Sequence, residues 1–269
     1  MRIVRTIREL RARRSEGQIG FVPTMGALHG GHTSLFELAR TESDQVVASV
    51  FVNPRQFDDP ADLAAYPRTE TEDARLARDA GVDLLFIPAE TEIYPEGDAT
   101  VVDVAGPALR FEGAARPGHF RGVATVCVKL FEIVRPAAAY FGQKDAQQVA
   151  VIRQLVRDLH LDLEIRVGPT VREADGLAAA SRNVRLSDDD RRRARAIPRA
   201  LITAVRAYQS GTDPVASARA ELADLDVEYL DVADFQGDPT LVLAVRAGAT
   251  RLIDNVPLGD PARAGLDPV

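Results

Sequence analysis

Short apolar runs alternate with helix-patterned stretches through the first two-thirds of the chain, and this alternation constrains the fold more than any other feature of the sequence. Residues 19–22, 46–52, 83–88, 138–141 and 163–167 are short, apolar and bounded by Gly, Pro or Asn, as buried strands are. Between them, residues 32–40, 69–80 and 145–160 read as helices. Val149, Ile152, Val156 and Leu159 recur at helical spacing and define one apolar face of the last. Thr69, with Glu72 three residues on, is placed as N-cap of the middle one. The alternation predicts an α/β fold, a parallel sheet with helices on both faces. After Gly168-Pro169 the pattern changes to a basic helix over 188–210, a second helix after Pro214, and short strands near 227–232, 241–245 and 251–254. That is a smaller C-terminal α+β domain, so the expected division is 1–170 and 171–269. The run from Asp188 to Arg193 reads as a solvated helix start, with its acids at the positive end of the helix dipole.

With 269 residues the chain is long enough for two cores of this kind. Its net charge of -7 and pI near 5.2 argue against nucleic-acid partners, which need clustered Lys and Arg to neutralise phosphates. The single cysteine, Cys127, lies in the apolar run 123–134 and reads as a buried core thiol without chemistry. It allows no internal disulfide and fits a reducing compartment. The first residues are interrupted by Arg2, Arg5 and Arg8 and do not form a signal peptide, and no apolar stretch approaches the ~18 residues that span a bilayer. A cytoplasmic protein with no membrane partner is expected.

The segment Pro23-Thr24-Met25-Gly26-Ala27-Leu28-His29-Gly30-Gly31-His32 sits where the first of these strands ends and a helix begins, the position at which open α/β sheets bind ligands. Two of the four histidines fall here, flanking a glycine pair. Gly30 and Gly31 let the backbone approach a ligand, and the first helical N–H groups and the dipole favour an anion. Two imidazoles above that helix start can donate to phosphate oxygens, and with a reference pKa of about 6.5 either can be partly protonated. Two histidines alone do not complete a zinc set, so no metal site is assigned. Further on, Gly142 ends a strand, Lys144 offers a cation to phosphates, and Asp145 begins a helix. Gln56 and Gln148 carry neutral amides able to donate to a carboxylate and accept from a hydroxyl. On residue type alone, Lys144 and Arg182 are equally surface cations, Asp145 an N-cap, Asn53 a turn residue, and His119 a structural loop histidine.

These segments, taken in order, resemble the pantothenate synthetase family of the HxGH nucleotidyltransferase superfamily. The resemblance rests on His29-Gly30-Gly31-His32, Phe51-Val52-Asn53-Pro54-Arg55-Gln56-Phe57, Tyr66-Pro67-Arg68, His119-Phe120-Arg121-Gly122-Val123, Phe141-Gly142-Gln143-Lys144-Asp145, Pro169-Thr170-Val171-Arg172-Glu173, Ser181-Arg182-Asn183 and Asp254-Asn255. It implies a Rossmann-like first domain and a second domain that closes over ATP. It also implies condensation of pantoate with β-alanine through a pantoyl adenylate, with Mg²⁺ on the phosphates, in a homodimer.

Residue by residue, the resemblance implies that Met25, Gly26, Ala27, Leu28, His29, Gly30, Gly31, His32, Gly142, Gln143, Lys144, Asp145, Val171, Ala179, Ala180, Ser181 and Arg182 hold ATP. Asn53, Gln56, His119 and Gln148 would bind the acid, and His29, His32, Lys144 and Arg182 would act on the phosphates, with His32 the first choice for proton transfer. Four positions depart from the family pattern. Ala179-Ala180 replaces a Met-Ser pair and removes a hydroxyl donor, Arg55 replaces an apolar residue beside the acid pocket, and Ala146 replaces an aromatic. The competing functions are a nucleotidyltransferase of the same superfamily and a degenerate relative that binds ATP or pantoate without turnover.

Overall fold

The computed structural model describes residues 1–235 and 237–266. The chain forms two units, Met1–Phe141 with Gln147–Gly168 and Gly142–Ala146 with Pro169–Val269. The short segment Gly142–Ala146 therefore belongs with the later part of the chain, which a single cut near residue 170 does not describe.

The first unit is built on a sheet of β1 (Arg2–Val4), β2 (Ile19–Thr24), β3 (Gln45–Val50), β4 (Leu84–Phe86), β5 (Ala138–Gly142) and β6 (Glu164–Gly168), in the order β1-β4-β3-β2-β5-β6. The pairings from β1 through β5 are parallel. Its helices are α1 (Ile7–Arg11), α2 (Gly30–Glu42), α3 (Pro60–Ala65), α4 (Glu70–Asp79), α5 (Glu90–Ile93), α6 (Glu112–Ala115), α7 (His119–Val134) and α8 (Ala146–Asp158).

Alternate strand residues point to opposite faces, and both faces are covered. Phe21, Val47, Leu84, Phe86 and Phe141 join a cluster with residues of α7 and α8, whereas Val22, Val46, Ala48, Leu85 and Tyr140 join one with α2 and α4. Apolar side chains on both faces explain why these strands read as continuous apolar runs. The chain runs outward from β2 through β3 and β4 on one side and through β5 and β6 on the other. The carboxyl edge at β2 and β5 is thus the place where ligands bind in such sheets.

Several local expectations change. β6 lies at the sheet edge and is half exposed rather than buried. β1 escapes the sequence reading because its pattern is interrupted by arginines. The apolar run 123–134 lies in α7, a helix on which only Arg121 and Glu132 are exposed. On α8, Val149 and Ile152 are buried and Val156 packs against the core as expected, Leu155 joins them, and Leu159, just beyond the helix, is 47% exposed. Thr69 precedes α4 as expected, but its hydroxyl donates to Asp73 Oδ1 (3.1 Å) and does not cap the helix.

The second unit packs α9 (Asp188–Ala194), α10 (Ala196–Gln209) and α11 (Pro214–Glu221) with an antiparallel sheet of β7 (Asp226–Asp234), β8 (Pro239–Ala247) and β9 (Thr250–Pro257). The expected helix over 188–210 is interrupted at Arg195, because Pro198 has no N–H for the Ala194 carbonyl. Ser187 caps α9, and Arg192 and Arg193 pair with Asp189 and Asp190 on its surface. Arg191 departs from the expected solvated run by pairing with Glu173 and Asp175 (2.7 Å to Asp175). A buried ion pair, Arg172 with Asp254 at 2.8 Å, is completed by the Arg172 guanidinium donating to the carbonyls of Ala264 and Gly176. Breaking one partner of such a pair is costly, about 3–5 kcal/mol, because the other charge is stranded. Among the described residues no helix is long and apolar enough to cross a membrane.

Candidate active site

The turn after β2 is held by a residue that the sequence reading passed over. Gly26 and Ala27 both have positive φ (80° and 50°), which turns two successive N–H groups the same way. Asp73 of α4, only 1% exposed, receives them: Ala27 N–H donates to Oδ2 (3.1 Å) and Leu28 N–H to Oδ1 (2.8 Å). A Cβ on Gly26 would lie 2.9 Å from both Asp73 Oδ2 and Val50 Cγ1, so the turn tolerates nothing larger. Thr24 joins the turn to β3 by donating to the Ser49 carbonyl (2.7 Å) and accepting from Gly26 N–H (3.1 Å).

Beyond this turn the two histidines cap α2 reciprocally. His29 Nδ1 accepts from Gly31 N–H (3.2 Å) and His32 Nδ1 accepts from His29 N–H (3.3 Å). The ring centroids are 4.1 Å apart. Because each Nδ1 is an acceptor, a neutral ring here carries its proton on Nε2. Gly31 is needed for a packing reason: its Cβ would come within 3.0 Å of the His29 ring. The expected opening of the backbone is thus filled, at Gly31, by the imidazole itself.

Gln56 is fixed from several sides in the same unit. Its Oε1 accepts from Asn53 Nδ2 (3.0 Å), its Nε2 donates to Met25 Sδ (3.0 Å), and its carbonyl accepts from His119 Nδ1 (2.9 Å) and Arg116 (3.3 Å). Asn53 is buried, with Nδ2 also donating to the Gly122 carbonyl and Oδ1 accepting from Arg55 N–H and Tyr94 OH. Asn53 and His119 are therefore spent on holding Gln56. Arg55 lies over the Tyr94 ring (3.8 Å) and pairs with Asp98 (2.8 Å).

Gln147 and Gln148 are neighbours on α8 with different surroundings. Gln147 is buried, donating to the carbonyls of Pro107 and Arg110 and accepting from Glu112 N–H. Gln148 is half-buried, and its amide has no hydrogen-bond partner among the described residues.

In the second unit, Lys144 has its Nζ 3.6 Å from Asp145 Oδ1, and the Asp145 side chain is 45% exposed. The space above Gly142 is open, with nothing within 4 Å of an added Cβ. Asn255 pins this turn from β9, donating to the carbonyls of Gln143 (3.0 Å) and Lys144 (2.7 Å) and accepting from Gln143 Nε2 (3.0 Å). Arg263 donates to Gln143 Oε1 (2.8 Å), so the Gln143 side chain is engaged within this unit. Val171 accepts from Ala179 N–H (2.9 Å), and the Ala180 carbonyl accepts from Asn183 N–H (3.0 Å), shaping the turn that carries Ser181 and Arg182. Among the described residues no three His, Cys, Asp or Glu side chains gather as metal ligands.

A parallel sheet whose carboxyl edge carries paired imidazoles on a helix start defines a class, the α/β enzymes that handle an anionic ligand at that point. The chain belongs to the Pantoate-beta-alanine ligase family, whose model matches residues 2–257. It is a carbon–nitrogen bond-forming ligase of that kind, as the sequence resemblance implied. It is 48% identical to the pantothenate synthetase of Herpetosiphon aurantiacus over 274 residues, 95% of this chain and 99% of that protein. The crystal structure of pantothenate synthetase from Thermus thermophilus superimposes with a TM-score of 0.93 at 45% identity, covering 96% of this chain and 99% of the other. Pantoate-beta-alanine ligase from Francisella tularensis, complexed with beta-gamma ATP and beta-alanine, gives a TM-score of 0.84 at 36% identity, covering 96% and 98%.

Proposed function

We propose that the pantoate carboxylate attacks the α-phosphorus of ATP, expelling pyrophosphate and leaving pantoyl adenylate on the protein. The amine of β-alanine then attacks the acyl carbon, AMP departs with the carbon–oxygen bond electrons, and the amine gives up its proton. The observation that carries this reading is the reciprocal cap of His29 and His32, which engages both Nδ1 atoms with the backbone at the start of α2 and puts the ring protons on Nε2. Donors fixed in advance stabilise the charge that develops on the phosphates without reorganising during the step.

In this reading residues 25–32 and 142–145, with Val171 and Ala179 to Arg182, bind the nucleotide. His29, His32, Lys144 and Arg182 face its phosphates, and His32 takes the proton-transfer role. Asp145 meets the ribose. Gln56 and Gln148 bind pantoate, and Asn53 and His119 serve them as positioning groups. Mg²⁺ enters as part of the substrate, on the nucleotide, because that ion keeps its waters and needs few protein carboxylates. The C-terminal unit closes over ATP, the protein is a homodimer, and it works in the cytoplasm. Light scattering of the purified protein tests the dimer.

The deciding experiment incubates the protein with ATP, Mg²⁺, pantoate and β-alanine and follows AMP and pantothenate by mass spectrometry. AMP release that requires both acid and amine is the expected result. Nucleotide retained on the product, or binding without turnover, overturns the reading.

A further inference from the structure

Gln56 is the acid-binding amide in the reading above, and its orientation depends on a chain of contacts that ends at two cations. Asn53 cannot be flipped. Its Nδ2 faces the Gly122 carbonyl, which only accepts, and its Oδ1 faces Arg55 N–H, which only donates. With Asn53 so fixed, Gln56 must turn Oε1 toward Asn53 and Nε2 away from it, toward Met25. The outer edge of Gln56 is therefore a donor, matched to a carboxylate or hydroxyl oxygen.

Asn53 Oδ1 takes its shorter bond from Tyr94 OH, at 2.8 Å. Burial pushes the Tyr94 phenol above its ordinary range, so it stays a donor. The ring is set by its neighbours, with the Arg55 guanidinium 3.8 Å from its centroid, Lys129 Nζ at 5.1 Å and the Phe51 ring at 6.0 Å. Asp98 ties both cations down, Arg55 at 2.8 Å and Lys129 through its Nζ, and Lys129 also donates to the Ile93 carbonyl (3.1 Å). The hydrogen bond from Lys129, and that from Arg55, hold the Asp98 carboxyl below the usual carboxylate range.

We propose that Tyr94, Arg55 and Asp98 are positioning residues for the acid substrate: the cations clamp the Tyr94 ring, its hydroxyl fixes Asn53, and Asn53 presents the Gln56 donor to pantoate. This inference rests on the assignment of Gln56 to pantoate. It concerns the pose of one amide, so its effect falls on one substrate.

The test is steady-state kinetics on the full chain with each of the three substrates varied in turn. Tyr94→Phe keeps the ring and removes one hydroxyl. It is expected to raise the pantoate KM about five- to tenfold, the scale of one lost hydrogen bond, with the KM values for ATP and β-alanine within twofold. Asp98→Asn and Arg55→Met are expected to raise the pantoate KM severalfold, whereas Arg55→Lys, which keeps a cation for the ring and for Asp98, restores most of the affinity. Gln56→Ala separates the two levels. If it raises the pantoate KM at least tenfold while Tyr94→Phe and Arg55→Met leave it unchanged, the clamp is overturned alone; if Gln56→Ala leaves it unchanged, the pantoate assignment falls and the clamp with it. Equal changes for all three substrates also overturn it, since they report a general loss of structure.

Discussion

After β2 the chain turns through Gly26 and Ala27 into α2; after β5 it turns through Gln143 and Lys144 into α8. In the first case the helix start is supported locally and the turn before it from 45 and 46 residues away. The histidines cap each other over three residues, and one carboxylate, Asp73, receives the turn's N–H groups. In the second case the support comes from far along the chain, since Asn255 grips the carbonyls of Gln143 and Lys144 from 112 and 111 residues away. The difference teaches where substitutions should be felt. A helix start capped within three residues can lose a functional ring and stay folded, whereas a turn pinned by a distant strand couples its geometry to the folding of that strand.

The strongest way to break this contrast is His32→Ala. Loss of a fixed donor in the transition state is expected to lower kcat for AMP formation about 10²–10³-fold, while loss of a cap costs only about 1 kcal/mol of stability. Parallel assays of AMP release and thermal unfolding check this, and full activity in the variant would remove His32 from the chemistry. Next in size is Asp73→Ala, which strands two inward-facing N–H groups. About 3 kcal/mol of destabilisation is expected, a fall in Tm on the order of 10 °C, and an unaltered melting curve would show that the turn does not depend on the carboxylate. Asn255→Ala sharpens the other half of the comparison. With Gln143 and Lys144 unpinned, kcat/KM for ATP should drop about tenfold, roughly 1.4 kcal/mol, and the variant should also melt earlier. A lower Tm with an unchanged ATP dependence would make Asn255 purely structural.

Smaller effects separate the neighbouring amides of α8. Gln147→Ala is expected to destabilise by about 1–3 kcal/mol through the carbonyls and N–H it leaves unpaired, with little change in pantoate KM. Gln148→Ala should do the reverse, raising pantoate KM severalfold at unchanged Tm. The smallest response belongs to Cys127, whose thiol burial pushes up to about 12. Alkylation at pH 8 should be negligible in the native protein and fast in denaturant, as read by intact mass.

Much of this could be read before any coordinates. The strands β2 to β5 stood out because both of their faces are buried, and the histidine turn stood out because its residues are contiguous. α7 did not, since its charged positions, Arg121, Lys129 and Glu132, are few and widely spaced within a long apolar run. Asp73 was hidden as one acid in the charged stretch Glu70, Glu72, Asp73, and its neighbours do point outward. Arg55 stood out only as a cation in place of an apolar residue, and the fold lays its guanidinium on Tyr94 and Asp98. Gln143 was expected at the nucleotide, but its side chain bonds to Asn255 and Arg263.

The sequence by itself determined the parallel α/β architecture, the smaller α+β unit, the helix start carrying His29 and His32, and the family. Each of these is carried by residues close together in the chain or by periodic patterns, which burial and backbone geometry translate directly into structure. Only the tertiary structure decided which amide of Gln147 and Gln148 is spent internally, which carboxylate holds the β2 turn, and how Asn53 and Tyr94 orient Gln56. Those outcomes depend on hydrogen bonds between distant segments, and a buried polar group takes its role from whichever partner the fold brings to it.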